Sequence, residues 1–267
     1  MYKKNHSKHE KPIVLIDDQG NREKNPNQIT VNQHVIPQKH LEHWADAKGL
    51  ISIFDTHSKV TKPMRPRDAF VVERLWDQAG ETRMLYSNEV NYHKQVDRIT
   101  SGMPISEHQH LSAYFTMLSA RMEVAHEARP NFASGLEGLN YTLSQAQLEE
   151  MELENASSHV HIHGAGGPDS QHLSRAMVSM KLQLTFQRLM QAYDSVEWRT
   201  FELDEGRFVL PDRIQSLVYW KRPLLPITPT IVIIGSALKS RLDASGWLNK
   251  RGINTLLKAG VKGDYVQ

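Results

Sequence analysis

The segment Gln33-His34-Val35-Ile36-Pro37-Gln38 sets one imidazole at the end of a short apolar run, just before a proline placed to start a helix. Neutral imidazole takes a proton from water or a hydroxyl near pH 7 and also ligates divalent metals, because its unperturbed pKa lies near ~6.5. His34 is the candidate general base. Arg121 sits at the border of the apolar stripe in Leu118-Ser119-Ala120-Arg121-Met122, where its guanidinium can bind a phosphate or carboxylate bidentately. A half-buried arginine needs an acidic partner, and Glu89, Asp97 or Asp212 can supply it. Gathered in one cleft, His34, Arg121, Asp212 and Glu89 form a base, an anion clamp and orienting acids. Gathered only for packing, they form a structural network that locks strand to helix. Gln33, Lys39, Lys221, Arg222 and Asn254 are the residues expected to hold substrate.

His159-Val160-His161-Ile162-His163 is the rival signal, since an extended strand would point all three imidazoles to one side. Ligands at i, i+2 and i+4 on one strand need a second element to complete a site. Gly164-Ala165-Gly166-Gly167 follows, and Glu149, Glu150, Glu152 and Glu154 precede, so the stretch reads as an exposed loop with adventitious metal affinity. No native metal ligand set is assigned; a divalent metal is the one candidate cofactor. The same glycines lack the order of a dinucleotide or P-loop fingerprint. Basic clusters at Lys3-Lys4, Arg65 to Arg67, Lys221-Arg222, Lys239 to Arg241 and Lys250-Arg251 read as solvated surface. If the last three align, they form a backbone-binding stripe with Trp220 and Trp247 ready to stack on bases.

The elements that must position these groups follow from composition and periodicity. A chain of 267 residues, 39% hydrophobic and 23% charged, can bury a sizeable core. Zero cysteines exclude disulfides, thiolate catalysis and Cys-based zinc, in keeping with a reducing cytosol. A net charge of +2 leaves nucleic-acid attraction to local patches. The start lacks an apolar signal core, and the aliphatic runs Ile13 to Ile16 and Ile231 to Ile234 are too short to cross a bilayer, so a cytoplasmic protein without membrane contact is expected. Residues 1–28 hold a single apolar island and read as a flexible arm.

From residue 29 to 267 the pattern predicts one α+β domain with strands at both ends and a helical middle. Strands are expected around Thr30 to Val35, Leu50 to Phe54 and Phe70 to Glu73, with a helix from Pro37 to about Ala45 closed by Gly49. Ser87 can cap a helix to about Ile99, and Ser106 with Gln109 makes a capping box for Ser106 to Glu127, whose apolar residues recur on one stripe. A weaker helix covers Ser144 to Glu154. A long one from Asp169 or Ser170 to Tyr193 is apolar on two sides and is expected to be central. Strands follow at Val196 to Leu203, Arg207 to Leu210, Leu217 to Trp220 and Ile231 to Ile234, then a helix from Trp247 to Ala259.

In this order the chain resembles the bacterial domain-of-unknown-function family 4238, whose opening His-Tyr-Val-Pro-Gln-aromatic-Tyr-Leu motif is matched by His34-Val35-Ile36-Pro37-Gln38-Lys39-His40-Leu41. The resemblance continues through Trp44, Ile53-Phe54-Asp55, Asn88-Glu89 to Val96-Asp97, and Leu118-Ser119-Ala120-Arg121. It then runs through Leu210-Pro211-Asp212-Arg213, Leu225 to Ile231, and Ile253-Asn254, covering roughly Asn32 to Val266. Val35, Lys39 and His40 replace the usual tyrosine and aromatic pair, and Ile214 replaces a late proline. The resemblance implies a mixed α/β body in which the first and last thirds meet over a helical middle, and it supplies no reaction. The strand-His-x-x-Pro order is similar to the general-base histidine of His-metal finger nucleases, except that a helix follows directly.

Two functions are expected from these readings. One is a nuclease-like hydrolase, or another enzyme acting on phosphate-containing substrates, serving as a defence or stress effector. The other is a non-catalytic module that binds nucleic acid or protein and whose His/Arg/Asp network is structural.

Overall fold

A two-stranded ribbon early in the described residues has no counterpart in a simple strand-helix reading. The computed structural model describes residues 11–128, 144–154, 170–214, 223–237 and 264–266. Strands β1 (Val14–Ile16) and β2 (Arg22–Lys24) form an antiparallel hairpin, so part of the expected arm is folded. Asp17 builds its turn: Oδ1 accepts the Gln19 and Asn21 backbone N–H groups at 2.9 and 2.7 Å. The ribbon is tied down at its base, where buried Glu149 accepts the Ile13 N–H and the Asn27 side-chain N–H, each at 3.0 Å.

Strand β3 (Asn32–His34) pairs with β6 (Val71–Glu73), and helix α1 (Gln38–Glu42) follows Pro37. Gly49, at φ +71°, turns the chain into β4 (Ile51–Asp55), with Asp46 Oδ1 accepting from Lys48 and Leu50. Strand β5 (Val60–Met64) and a single 3-10 turn (Pro66–Asp68) complete the connection to β6. A π turn (Gly80–Leu85) runs straight into α2 (Tyr86–Thr100), so Ser87 lies inside the helix and does not cap it. Asp77 performs that task from upstream: its Oδ1 accepts the Gly80 N–H at 2.7 Å.

Helix α3 (His108–His126) is the central element, buried on every face from Leu111 to Met122 and packed against α2 and two later elements, α5 (Ser170–Tyr193) and β7 (Val196–Glu202). The capping box expected at its start does not form. Gln95 takes the Ser106 hydroxyl and the Ser106 and Glu107 N–H groups, and Gln109 reaches Asp194 at 3.0 Å. The helix expected to be central, α5, buries one face through Ser174, Arg175, Val178, Leu182 and Thr185 and leaves Leu184 57% exposed. Between them, α4 (Gln145–Glu154) starts with a capping box of Ser144 and Gln147.

The late strands are β8 (Leu210–Pro211), β9 (Leu224–Pro226), β10 (Ile231–Ala237) and β11 (Asp264–Val266). The antiparallel sheet β7-β10-β9 covers α3, with Trp198 donating its indole N–H to Ser112 at 2.9 Å. Gly235 lets β7 and Pro223 close over β10: a Cβ there would lie 2.5 Å from Pro223 Cγ and from Val196 Cγ1. In the sheet of order β5-β4-β11-β8, the last described strand slots between an early and a late one. That strand has no counterpart in the sequence reading. The result is a single α+β domain. The Leu217 to Trp220 strand and the Trp247 to Ala259 helix lie outside the described residues.

Candidate functional site

Two of the sequence-selected groups, Arg121 and Glu89, meet where the π turn, α2 and α3 converge, and a third, His34 at the end of β3, lies within electrostatic reach of Arg121. Arg121, 1% exposed on α3, donates from Nη2 to Glu89 Oε1 on α2 at 2.8 Å and lies 4.0 Å from Glu81 Oε2 in the π turn. Its guanidinium carbon stands 5.8 Å from the Trp76 ring centroid, and the Trp76 indole N–H donates to Glu81 Oε2 at 2.6 Å. Glu81 and Glu89 are eight residues apart, a spacing that would rotate them out of line on a regular α-helix. The π turn takes in one extra residue and so restores the alignment.

His34, at the end of β3, is half-buried and donates from Nε2 to the Arg67 carbonyl at 3.2 Å. That bond fixes the tautomer with the proton on Nε2 and leaves the Nδ1 lone pair to act as a base. Burial lowers the pKa of His34, with the Arg121 charge pushing the same way and the Arg67 carbonyl and the Glu81 charge opposing. The ring is thus neutral at pH 7. Burial raises the pKa of Glu89, opposed by Arg121 and reinforced by Glu81.

The exposures separate the roles. The Arg121 side chain is 2% exposed, against 20% for Glu81 and 26% for Glu89, so the carboxylates stand in front and the guanidinium behind them. Arg121 therefore positions the two acids and does not present a clamp to solvent. Cationic side chains that do reach solvent beside His34 are Arg65 and Arg67 on the loop that accepts its hydrogen bond. Tyr86, 68% exposed, begins α2 one turn before Glu89.

The remaining selected residues go elsewhere. Asp212 is 3% exposed beyond β8, with its Oδ2 3.6 Å from His126 Nε2 at the end of α3, and it joins neither His34 nor Arg121. Gln33 does not face a substrate. It is 1% exposed and fastens the loop after β6, accepting from the Leu75 and Trp76 N–H groups at 2.7 and 3.1 Å and donating to the Trp76 carbonyl at 2.8 Å. Lys39 is exposed on α1. Lys221, Arg222, Asn254 and the His159, His161, His163 run lie outside the described residues.

The imidazole that locks the fold is His40, 0% exposed. Its Nε2–H donates to the Pro226 carbonyl at 2.9 Å, and its Nδ1 accepts the Tyr114 hydroxyl at 2.8 Å. Its ring stacks among Trp44, Tyr92 and Tyr114, which explains how a histidine replaces an aromatic residue of the family motif. Burial lowers its pKa to about 3.

Glu149 and Glu152, read from sequence as flanking an exposed loop, are buried at 0% and 2%. Glu152 Oε1 receives Arg74 at 2.8 Å and Arg175 Nε at 2.7 Å, joining β6 to α4 and α5. Burial lowers Arg175 to about 9. Sequence reasoning missed this cluster along with Glu81, Trp76 and Tyr86. The Asp77-x-x-Gly80 cap was the signal for the helix's true start. Among the described residues no group of three His, Asp or Glu side chains is placed to hold a metal ion, and no helix is long and apolar enough to cross a membrane.

No curated protein and no solved structure matches the chain. A family model does match it over residues 32–241, from the strand that carries His34 to the stretch just past β10, taking in every residue of the site above. The chain belongs to the family described as protein of unknown function DUF4238.

Proposed function

We propose that the chain is a hydrolase acting by general acid–base catalysis on a phosphate ester, with nucleic acid or a nucleotide as its substrate class. His34 Nδ1 takes the proton of the attacking water, and Glu89, held protonated more readily by burial, gives a proton to the leaving oxygen. The observation that carries this reading is that a half-buried imidazole with a lowered pKa lies within electrostatic reach of Arg121 and Glu81, the pair beside which burial raises the Glu89 carboxyl. Arg65 and Arg67, the latter 3.8 Å from Asp68, supply the positive charge that a phosphate requires, since the Arg121 guanidinium is buried behind the two acids and does not reach solvent. Tyr86 offers an exposed ring on which a base can stack. The proposed place for such an activity, on a nucleic-acid substrate, is as a defence or stress effector.

The test is incubation of purified protein with DNA, RNA and nucleotides, with and without magnesium or manganese. His34→Ala is expected to lower the rate by ~10²-fold or more, the range for loss of a general base. Its stability should stay within ~1 kcal/mol of wild type, as for other substitutions outside the core. Full activity in His34→Ala, or no hydrolysis of any of these substrates, overturns the reading.

The second reading, a non-catalytic interaction module, is favoured by one observation: Gln33, His40 and Asp212 all act as internal fasteners. Parallel loss of stability and of every measurable activity on His34→Ala would select it.

A further inference from the structure

The β1-β2 hairpin presents an apolar strand to solvent, with Val14 47%, Leu15 49% and Ile16 62% exposed. It is well built at both ends, by the Asp17 turn and by Glu149 at its base. Among the described residues β1 has a neighbour on one side only. Natural sheets blunt such an edge with inward charges, proline or a bulge, and none of these interrupts Val14 to Ile16.

The hydrogen-bond register says what the free edge can accept. The Asn25 N–H donates to the Ile13 carbonyl at 2.9 Å and the Asp17 N–H to the Asn21 carbonyl at 3.1 Å. The backbone groups of Ile13, Leu15 and Asp17 therefore point toward β2, and those of Val14 and Ile16 point outward. We propose that β1 is the docking edge for a second copy of this chain, joined antiparallel about a two-fold axis at Leu15. In that register Val14 exchanges both backbone hydrogen bonds with Ile16 of the second copy, and Ile16 with Val14. Leu15 faces its own counterpart in the non-hydrogen-bonded pair between them. The strand is self-complementary, as an isologous interface requires.

Charge supports the same register. Lys11 and Asp17 of opposite copies fall on one face as diagonal neighbours, about 7–8 Å apart along the ladder and within reach of a lysine. Hydrogen bonds from Asn21, and to a smaller extent Gln19 and Gly20, hold the pKa of the Asp17 carboxyl below its ordinary value. The contact occurs twice across the axis. The product is a four-stranded sheet, β2-β1 of one copy continued by β1-β2 of the other, with Val14 packed on Ile16 on one face and Leu15 on Leu15 on the other.

The absence of cysteine from the chain gives a direct test. In Leu15→Cys the only thiol of each full-length chain would meet its own copy at a non-hydrogen-bonded site, where Cα atoms lie ~4.5 Å apart and a disulfide closes without backbone movement. Mild oxidation should convert most of the protein to a covalent dimer that dithiothreitol reverses, while Glu23→Cys on β2 should stay largely monomeric. Light scattering on the cysteine-free chain should show a concentration-dependent dimer that Ile16→Lys shifts to monomer, with circular dichroism unchanged. A chain that is monomeric up to hundreds of micromolar overturns the proposal. So does a dimer that Ile16→Lys leaves intact, or cross-linking of Glu23→Cys as efficient as that of Leu15→Cys.

Discussion

Replacing His40 by glutamine should flatten the acid sensitivity of folding. His40 is enclosed by Trp44, Tyr92 and Tyr114, and burial holds its folded pKa at about 3. In the unfolded chain it titrates near ~6.5. A depressed pKa means the unfolded state binds the proton first, so this contribution is fully present above pH ~6.5 and is lost progressively as pH falls toward about 3. Between pH 7 and pH 5 the unfolded imidazole goes from mostly neutral to almost fully protonated while the folded one stays neutral. The loss over that interval is about 2 kcal/mol, and the limiting slope is ~1.4 kcal/mol per pH unit. Glutamine can still donate an amide N–H toward the Pro226 carbonyl and has no proton to titrate. The variant starts from a lower stability at pH 7 through imperfect packing, and for that reason the slope is the diagnostic quantity. Urea unfolding followed by tryptophan fluorescence at pH 7, 6 and 5 would measure it. The difference in stability between pH 7 and 5 should be about 2 kcal/mol smaller in His40→Gln than in wild type. Equal differences in the two proteins would refute the placement of a neutral, sealed imidazole at this position.

Gln33→Ala should cost ~3–5 kcal/mol, because it strands two buried N–H groups and a carbonyl of the Leu75-Trp76 loop; a thermal midpoint close to wild type would show that the loop does not depend on Gln33. Gly235→Ala should destabilise by ~1–3 kcal/mol through overlap with Pro223 and Val196, read by chemical denaturation, and a neutral result would mean that these strands separate freely. Glu149→Gln weakens the tether of the hairpin base, and limited proteolysis should then cut within residues 11–28 several times faster than in wild type.

Much of the frame was legible along the chain. Pro37 and Gly49 bracket α1, period-3.6 apolar residues mark α3, and the Ile231 strand announces itself by its aliphatic run. These are local signals, and local backbone preference decides them. The arrangement around Arg121 was partly legible, since its residue type demands an acid and Glu89 was among the candidates. Choosing among Glu89, Asp97 and Asp212 was not possible from spacing, because they lie on different elements whose approach depends on packing. Glu152 shows the same limit: four glutamates within ten residues read as the flank of an exposed loop, and only the arrival of Arg74 and Arg175 makes Glu152 internal.

The sequence alone determined the helical middle, the strand-histidine-proline opening and the family to which residues 32–241 belong, since each rests on neighbours a few residues apart. Tertiary structure decided which helix is central, where Asp212 goes, that His40 takes an aromatic place in the core, and that the last strand closes a sheet with β4. Those outcomes depend on which surfaces exclude water together, and contacts between residues distant along the chain carry no signature in the order of the residues themselves.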